Sequence, residues 1–244
     1  MWMKLIKLDA IDSTNSYLKE LIDIDHIENY TAVISKFQSK GRGRNNNIWQ
    51  DKPSKNLNFS MFKKFKKFKI TDKFLLNIIT SISVCQLLKN YNVKKLKVKW
   101  PNDIMTDNKK ISGILIENNV RGFSLNHSIL GIGINVNQIS FINLPNATSI
   151  KIETGFHNSI NNLANELQKI LKSNFKFLNN KSEILIEKYN NSLYQREKLI
   201  KYSKMNDKLF KGKIIGINNS GDILIQNSKG DIEGFQEDEI KIEY

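Results

Sequence analysis

The segment Gly41-Arg42-Gly43-Arg44, with Trp49 five residues beyond it, sets two permanently charged guanidinium groups among residues that tolerate positive φ. Glycine lets backbone N–H groups come close to an anion, and the forked arginine donors match the paired oxygens of a phosphate or carboxylate. RNA-binding tails and plain turns share this composition, so the loop suggests anion binding without specifying the anion. Further polar and glycine-spaced segments flank it. Ser13-Thr14-Asn15 and Gln38 precede the loop, while Lys99-Trp100-Pro101-Asn102-Asp103, Lys110-Ile111-Ser112-Gly113-Ile114-Leu115-Ile116-Glu117 and Gly131-Ile132-Gly133-Ile134-Asn135-Val136-Asn137 follow it. Gly131-Ile132-Gly133 is not a dinucleotide loop, because a third glycine is missing and the segment continues as an apolar strand.

Taken in this order, the segments resemble biotin protein ligase, the family that attaches biotin to carboxylase carrier domains, and the resemblance extends over nearly the whole chain. It implies an α+β protein. A biotin/lipoate ligase-like catalytic domain, with a mixed β-sheet flanked by helices, would occupy residues 1–195, and a small SH3-like β-barrel residues 196–244. The implied reaction has two steps. Biotin attacks the α-phosphate of ATP, used with Mg2+, to give biotinyl-5'-AMP and pyrophosphate. A lysine of the biotin carboxyl carrier protein, or carrier domain, of acetyl-CoA carboxylase or a related carboxylase then attacks the mixed anhydride. Some members carry an N-terminal helix-turn-helix, for which the residues before Ser13 leave no room. The resemblance is thus to the ligase-only type, with no specific DNA partner, no membrane partner and a possible homodimer.

Both reactants of the first step are anions, so cations and oriented N–H donors are the main equipment the chemistry requires. The resemblance places Lys110, Arg44 and Asp103 in the catalytic group, with Lys110 touching both the biotin carboxylate and the α-phosphate. Outside such a match Lys110 reads as a solvated turn lysine. Gly41, Arg42, Gly43 and Arg44 would cradle the carboxylate and phosphate, and Gly113 would let ligand pack on a strand. Ser13, Thr14, Asn15 and Gln38 suit a ureido ring, which offers one carbonyl and two N–H groups; alone, Ser-Thr-Asn is a helix cap. Arg44, Trp49, Asn102 and Asn135 would meet the nucleotide, although a tryptophan also suits a core and Pro-Asn-Asp an ordinary turn. The metal ligands are not specified. Where many members continue the loop with another glycine and arginine, this chain has Asn45-Asn46-Asn47, so looser retention of the adenylate is expected.

Two rivals follow from the same residues. A lipoate ligase or octanoyl transferase would share the fold and the lysine, but the Gly-Arg-Gly-Arg and Lys-Trp-Pro-Asn-Asp segments point away from it. A nucleic-acid-binding protein would use the net charge of +14 and the run Lys63-Lys64-Phe65-Lys66-Lys67-Phe68-Lys69. Cations interleaved with aromatics form single-strand platforms, yet a solvated loop with Phe65 and Phe68 tucked inward is preferred.

Hydrophobic periodicity outlines the elements that must hold these groups. Strands are expected at 3–8, 31–37, 56–62, 96–100, 111–117 and 128–137. A helix follows Asp12 or Ser13, a long one is capped by Thr71 or Asp72, and two more span 159–177 and 182–194. Short strands at 209–217, 222–226, 231–235 and 239–243 form the expected barrel. Cys85, the one cysteine among 244 residues, excludes an internal disulfide and fits a reducing, cytoplasmic setting. His26, His127 and His157 lie too far apart to suggest a zinc site, and the greasiest run, Phe74 to Val84, is interrupted by Asn77, Thr80, Ser81 and Ser83.

Overall fold

Leu57-Asn58-Phe59-Ser60-Met61 alternates apolar and polar residues as a half-exposed strand does, yet all five are buried. One face of this strand is the hydrophobic core; the other is a covered polar floor. The computed structural model describes residues 3–24, 26–45, 47–178, 182–204 and 208–243, so Asn46 of the loop lies outside the described residues. The strand is β3 (Asn56–Lys64) of a seven-stranded sheet. Its companions are β1 (Leu5–Ile11), β2 (Ala32–Gln38), β4 (Leu96–Lys99), β5 (Asp103–Thr106), β6 (Lys109–Arg121) and β7 (Ser124–Asn135), in the order β1-β2-β3-β7-β6-β5-β4. Only β1 and β2 pair in parallel, which makes the sheet mixed, as expected.

Leu57, Phe59 and Met61 face the larger core with α2 (Phe74–Asn90) and α4 (Ile160–Asn174). Phe62 falls on the opposite face, where it packs with Val33, Ile129 and Leu18 of α1 (Thr14–Ile24). α2 is apolar nearly all round because it has protein on several sides. Its buried Thr80 and Ser83 hydroxyls donate back to the carbonyls of Leu76 and Ile79, both at 2.7 Å. The expected cap at Thr71 or Asp72 is corrected: Ile70–Asp72 is a separate 3-10 turn, and Lys73 precedes α2 without a side-chain cap. Thr71 Oγ1 instead donates to Asp72 Oδ1 at 3.0 Å. The strand expected at 96–100 stops at Lys99, which pairs with Asp103 across a tight turn.

Past α3 (Ile150–Thr154) and α5 (Ser182–Ser192), the chain builds a second sheet from β8 (Leu199–Lys204), β9 (Leu209–Ile217), β10 (Ile223–Asn227), β11 (Ile232–Phe235) and β12 (Ile240–Glu243). Its order is β11-β10-β9-β8-β12 and every pair is antiparallel. The expected barrel is therefore corrected to an open sheet, since β11 and β12 are unpaired with each other among the described residues. A barrel closes only when tilted, staggered strands bring their edges together, and these two edge strands have four residues each. The small sheet still shares the main core through Ile200, Tyr202, Ile214 and Ile223. Trp100 Nε1 donates to the Gly221 carbonyl at 2.9 Å, tying the β4–β5 turn to the β9–β10 turn.

Lys63, Phe65 and Phe68 of the lysine–phenylalanine run are structural, while Lys64, Lys66, Lys67 and Lys69 are exposed. Phe65 and Phe68 are buried and stack with centroids 5.0 Å apart. Lys63 is buried as well, its amine 4.9 Å from the Tyr30 ring centroid and 4.8 Å from that of Phe65, and it donates to the Lys64 carbonyl at 2.8 Å. Burial lowers its pKa from 10.5 to about 8. Cys85 is partly buried against the main core, and burial pushes its thiol up to about 12, which suits a packing group.

Two outcomes are expected. Gly221 has φ +91°, and a Cβ there would lie 2.0 Å from Cγ of Phe74. Gly221→Ala should cost about 1–3 kcal/mol in urea denaturation, the range for overpacking a fixed interface. Because the Lys63 pKa is depressed, the unfolded chain binds more protons between pH about 8 and 10.5, and stability from this group rises with pH through that window. Lys63→Met should therefore be more stable than wild type below pH 8, with the gap narrowing towards pH 10.5; an unchanged gap in matched urea titrations would contradict this.

Candidate functional site

The polar floor of β3 faces the N-terminus of α1 across an inner cavity of about 180 Å³. α1 begins with its first amide satisfied from outside: Thr14 N and Oγ1 both donate to Gln38 Oε1, at 2.8 and 3.1 Å. Ser60 Oγ lies 2.7 Å from Thr14 Oγ1 and 2.6 Å from Asn15 Oδ1. Asn15 Nδ2 donates to Glu117 Oε2 at 2.6 Å, and that oxygen also accepts from Arg42 Nη2 at 3.0 Å. One chain of hydrogen bonds thus runs from Gln38 to Arg42. Gly131 makes it possible, because a Cβ there would be 2.5 Å from Asn15 Oδ1.

The three cations of the inner cavity each have a carboxylate partner. Lys110 Nζ lies 2.7 Å from Asp103 Oδ1, Arg42 pairs with Glu117, and Arg44 pairs with Glu237 from the turn between β11 and β12. Asn45 Nδ2 also reaches Glu237, at 3.4 Å. The loop closes on itself through Gly43 N to the Asn47 carbonyl at 2.7 Å and Asn47 N to the Arg44 carbonyl at 3.0 Å. Trp49 turns inward, with its Nε1 3.2 Å from Asn58 Oδ1.

An outer cavity of about 570 Å³ adjoins the inner one, and Trp49, Asp103 and Lys110 line both. Lys99, Asn108, Asn135 and Tyr194 also line the outer space. Burial lowers the pKa of Lys99, Asp103 opposes the shift, and Lys110 adds to it. Asn135 Nδ2 donates to the Thr148 carbonyl at 2.9 Å, which anchors that wall. Lys110 is fixed through its backbone, donating to the Asn146 carbonyl at 2.7 Å and accepting from Thr148 N at 2.9 Å. The arrangement can hold a polar head in the inner space and a second anion in the outer one, with a single ammonium at their junction.

Of the residues singled out in the sequence, Ser13, Thr14, Asn15, Gln38, Arg42, Gly43, Arg44, Trp49, Asn102, Asp103, Lys110 and Gly113 border the inner cavity. Gly41 lies behind it, where a Cβ would be 2.7 Å from the Trp49 carbonyl, and Asn135 borders the outer cavity. Asn102 is a strut, donating to the Ile114 carbonyl at 2.7 Å. Sequence reasoning missed Asp51, Asn58, Ser60 and Glu237 and gave Glu117 no role. Polar residues at alternate positions of the apolar β3 were the available signal for Asn58 and Ser60.

The sequence model of the Biotin/lipoate A/B protein ligase family matches residues 8–135, slightly more than half of the chain. The chain belongs to this family. Among curated family members it is 33% identical to the bifunctional ligase/repressor BirA of Escherichia coli over 129 residues, 53% of this chain and 39% of that protein. It is 30% identical to chloroplastic biotin–protein ligase 1 of Arabidopsis thaliana over 112 residues, 43% of this chain and 29% of that one. These matches span well under half the length of either relative. Among solved structures, biotin protein ligase from Aquifex aeolicus in complex with biotin and ATP superposes with a TM-score of 0.81 at 27% identity, covering 99% of both chains. The Leishmania major biotin protein ligase with biotinyl-5-AMP shares the fold, with a TM-score of 0.68 at 20% identity over 97% of this chain and all of that one.

In this family member the loop carrying Arg44 is held from the second sheet, so Glu237→Gln should loosen it. Hydrogen exchange at the Gly43 and Asn47 amides should speed up about 3- to 10-fold, consistent with losing one partly exposed charge-assisted bond, while the amides of β6 and β7 keep their protection. Unchanged exchange at Gly43 would show that the loop holds itself.

Proposed function

We propose that the chain is an ATP-dependent biotin protein ligase, and the observation that carries the reading is Lys110 at the junction of the two cavities. A ureido head in the inner cavity would meet the hydroxyl and amide groups of Thr14, Asn15 and Gln38, with the acid's carboxylate directed to Lys110. The nucleotide would lie in the outer cavity with its α-phosphate against the same ammonium. The carboxylate oxygen attacks phosphorus, the bond to the bridging oxygen breaks, and pyrophosphate departs. Negative charge moves across non-bridging oxygens that Lys110 can follow, with Arg42 and Arg44 exchanging their own carboxylates for ligand oxygens.

The same geometry supports the second step. The amine of a carrier lysine attacks the acyl carbon and AMP leaves with the electron pair of the broken anhydride bond. The partner is accordingly a biotin carboxyl carrier domain of a carboxylase. Magnesium fits the donor set as an ion that arrives with the nucleotide: Asp103 is a lone carboxylate beside the phosphate space, and such ions are held by one or two carboxylates plus phosphates. It would supply charge neutralisation at the phosphates. In this reading residues 1–195 perform the chemistry and residues 196–244 support it through Glu237. Among the described residues no helix is long and apolar enough to cross a membrane.

Biotin-dependent exchange of pyrophosphate into ATP tests the proposal. Wild type should catalyse it, and Lys110→Ala should slow it about 10²- to 10³-fold, the loss expected when one transition-state donor is removed. The two proteins should melt alike, because the Lys110 side chain is about two-fifths exposed at 39%. Exchange driven by lipoate in place of biotin would overturn the substrate assignment, and equal rates in the two proteins would overturn the role of Lys110.

A further inference from the structure

Asn58 is 1% exposed, and hydrogen bonding fixes which way round its amide lies. Nδ2 sits 3.3 Å from the Ser35 carbonyl and 2.6 Å from Asp51 Oδ2, both acceptors, so Oδ1 must face the inner cavity. Among the described residues, the one donor on Oδ1 is the indole Nε1 of Trp49, at 3.2 Å. To reach it, the indole lies on the glycine floor. Its ring atoms fall 2.5 to 2.9 Å from where a Cβ on Gly133 would be, and Cζ3 is 3.5 Å from one on Gly113. The space left beside it, about 180 Å³, is well short of the roughly 300 Å³ at which ligand pockets begin. A ligand head that lies on the glycine floor would take the place of the ring.

We propose that Asn58 is a specificity-determining residue whose Oδ1 accepts an N–H from the head of the bound acid, and that the Trp49 indole N–H occupies this acceptor until the acid displaces it. The inference rests on the ligase reading above and adds the chemical class of head group that the site selects. Once the indole leaves, Oδ1 is a covered acceptor in need of a donor. An acid with ring N–H groups supplies one, whereas a head of sulfur and hydrocarbon leaves it unpaired. A site built to hydrogen-bond its substrate rejects analogues that lack the donor far more strongly than an apolar pocket rejects a wrong shape.

Asp51 is the positioning residue behind this choice. Its carboxylate accepts from Asn58 Nδ2, from Gln38 N at 3.0 Å and from Asn56 Nδ2 at 3.3 Å, holding the strand's amides in one orientation. Burial raises its pKa and these hydrogen bonds oppose the rise.

Calorimetric titration of the whole chain with biotin and with lipoate, without nucleotide, tests the inference. Wild type should prefer biotin. Asn58→Leu, close in shape and without the acceptor, should weaken biotin binding about 10- to 100-fold, the effect of one unmade buried hydrogen bond, and tighten lipoate binding, since that acid no longer leaves an acceptor unpaired. Trp49→Phe removes the competing N–H and should tighten biotin binding several-fold. Wild-type biotin affinity in Asn58→Leu, or equal weakening of both acids, would overturn the inference alone, leaving the ligase reading intact. If Asn58→Leu does not fold, as judged by circular dichroism, unchanged biotin affinity in Trp49→Phe overturns it. A wild-type preference for lipoate would overturn both the inference and the ligase reading.

Discussion

Three cations within one small cleft repel one another, and a chain of net charge +14 offers little background to soften that repulsion. The cleft is held together because each cation meets a carboxylate from a different part of the fold. Asp103 comes from β5, Glu117 from β6 and Glu237 from the turn between β11 and β12. The last of these reaches the cleft from the second sheet. That sheet's position is set by Trp100 bonded to Gly221, by Phe74 packed on the same glycine, and by Asn190 accepting from Ile217 N at 2.9 Å. Docking of a small sheet and the charge balance of a distant loop are thus one arrangement.

The polar floor follows a parallel logic. Buried amides and hydroxyls are tolerable only when paired, and a network that is fully paired is rigid. Gln38, Thr14, Ser60, Asn15 and Glu117 satisfy one another in sequence, and Gly131 gives the network its thickness by withholding a side chain. A site of this kind is organised before ligand arrives. The indole of Trp49, which is attached to a loop, holds the floor by a single hydrogen bond.

Much of this was legible in the sequence where the signal is local. Glycines beside arginines, a lysine at fixed distance from Gly113, and apolar spacing in α4 need no knowledge of the fold. Asn58 and Ser60 are legible only after both faces of β3 are known to be covered, since the same alternation usually marks a solvated face. Glu117 and Glu237 lie 75 and 192 residues from Arg42 and Asn45, so no window on the sequence holds both partners. The barrel expectation failed for a similar reason: the strands were read individually, while closure depends on whether the edges of β11 and β12 meet. Thr71 and Asp72 look like helix caps by type, yet they satisfy each other and the helix begins later.

Exposure of the ion pairs decides what they can do. Breaking a buried pair leaves an uncompensated charge and costs about 3–5 kcal/mol, which would lock the cations away from any incoming anion. None of these pairs is that deep. The side chains of Arg42 and Glu117 are 45% and 34% exposed, and those of Lys110 and Asp103 are 39% and 21% exposed, a range in which such pairs contribute about 0–1 kcal/mol. Each carboxylate therefore holds its cation in place at small cost and gives it up at small cost when a phosphate or carboxylate offers more oxygens. Shallow pairing lets an empty cleft keep its geometry without competing strongly for its own ligands.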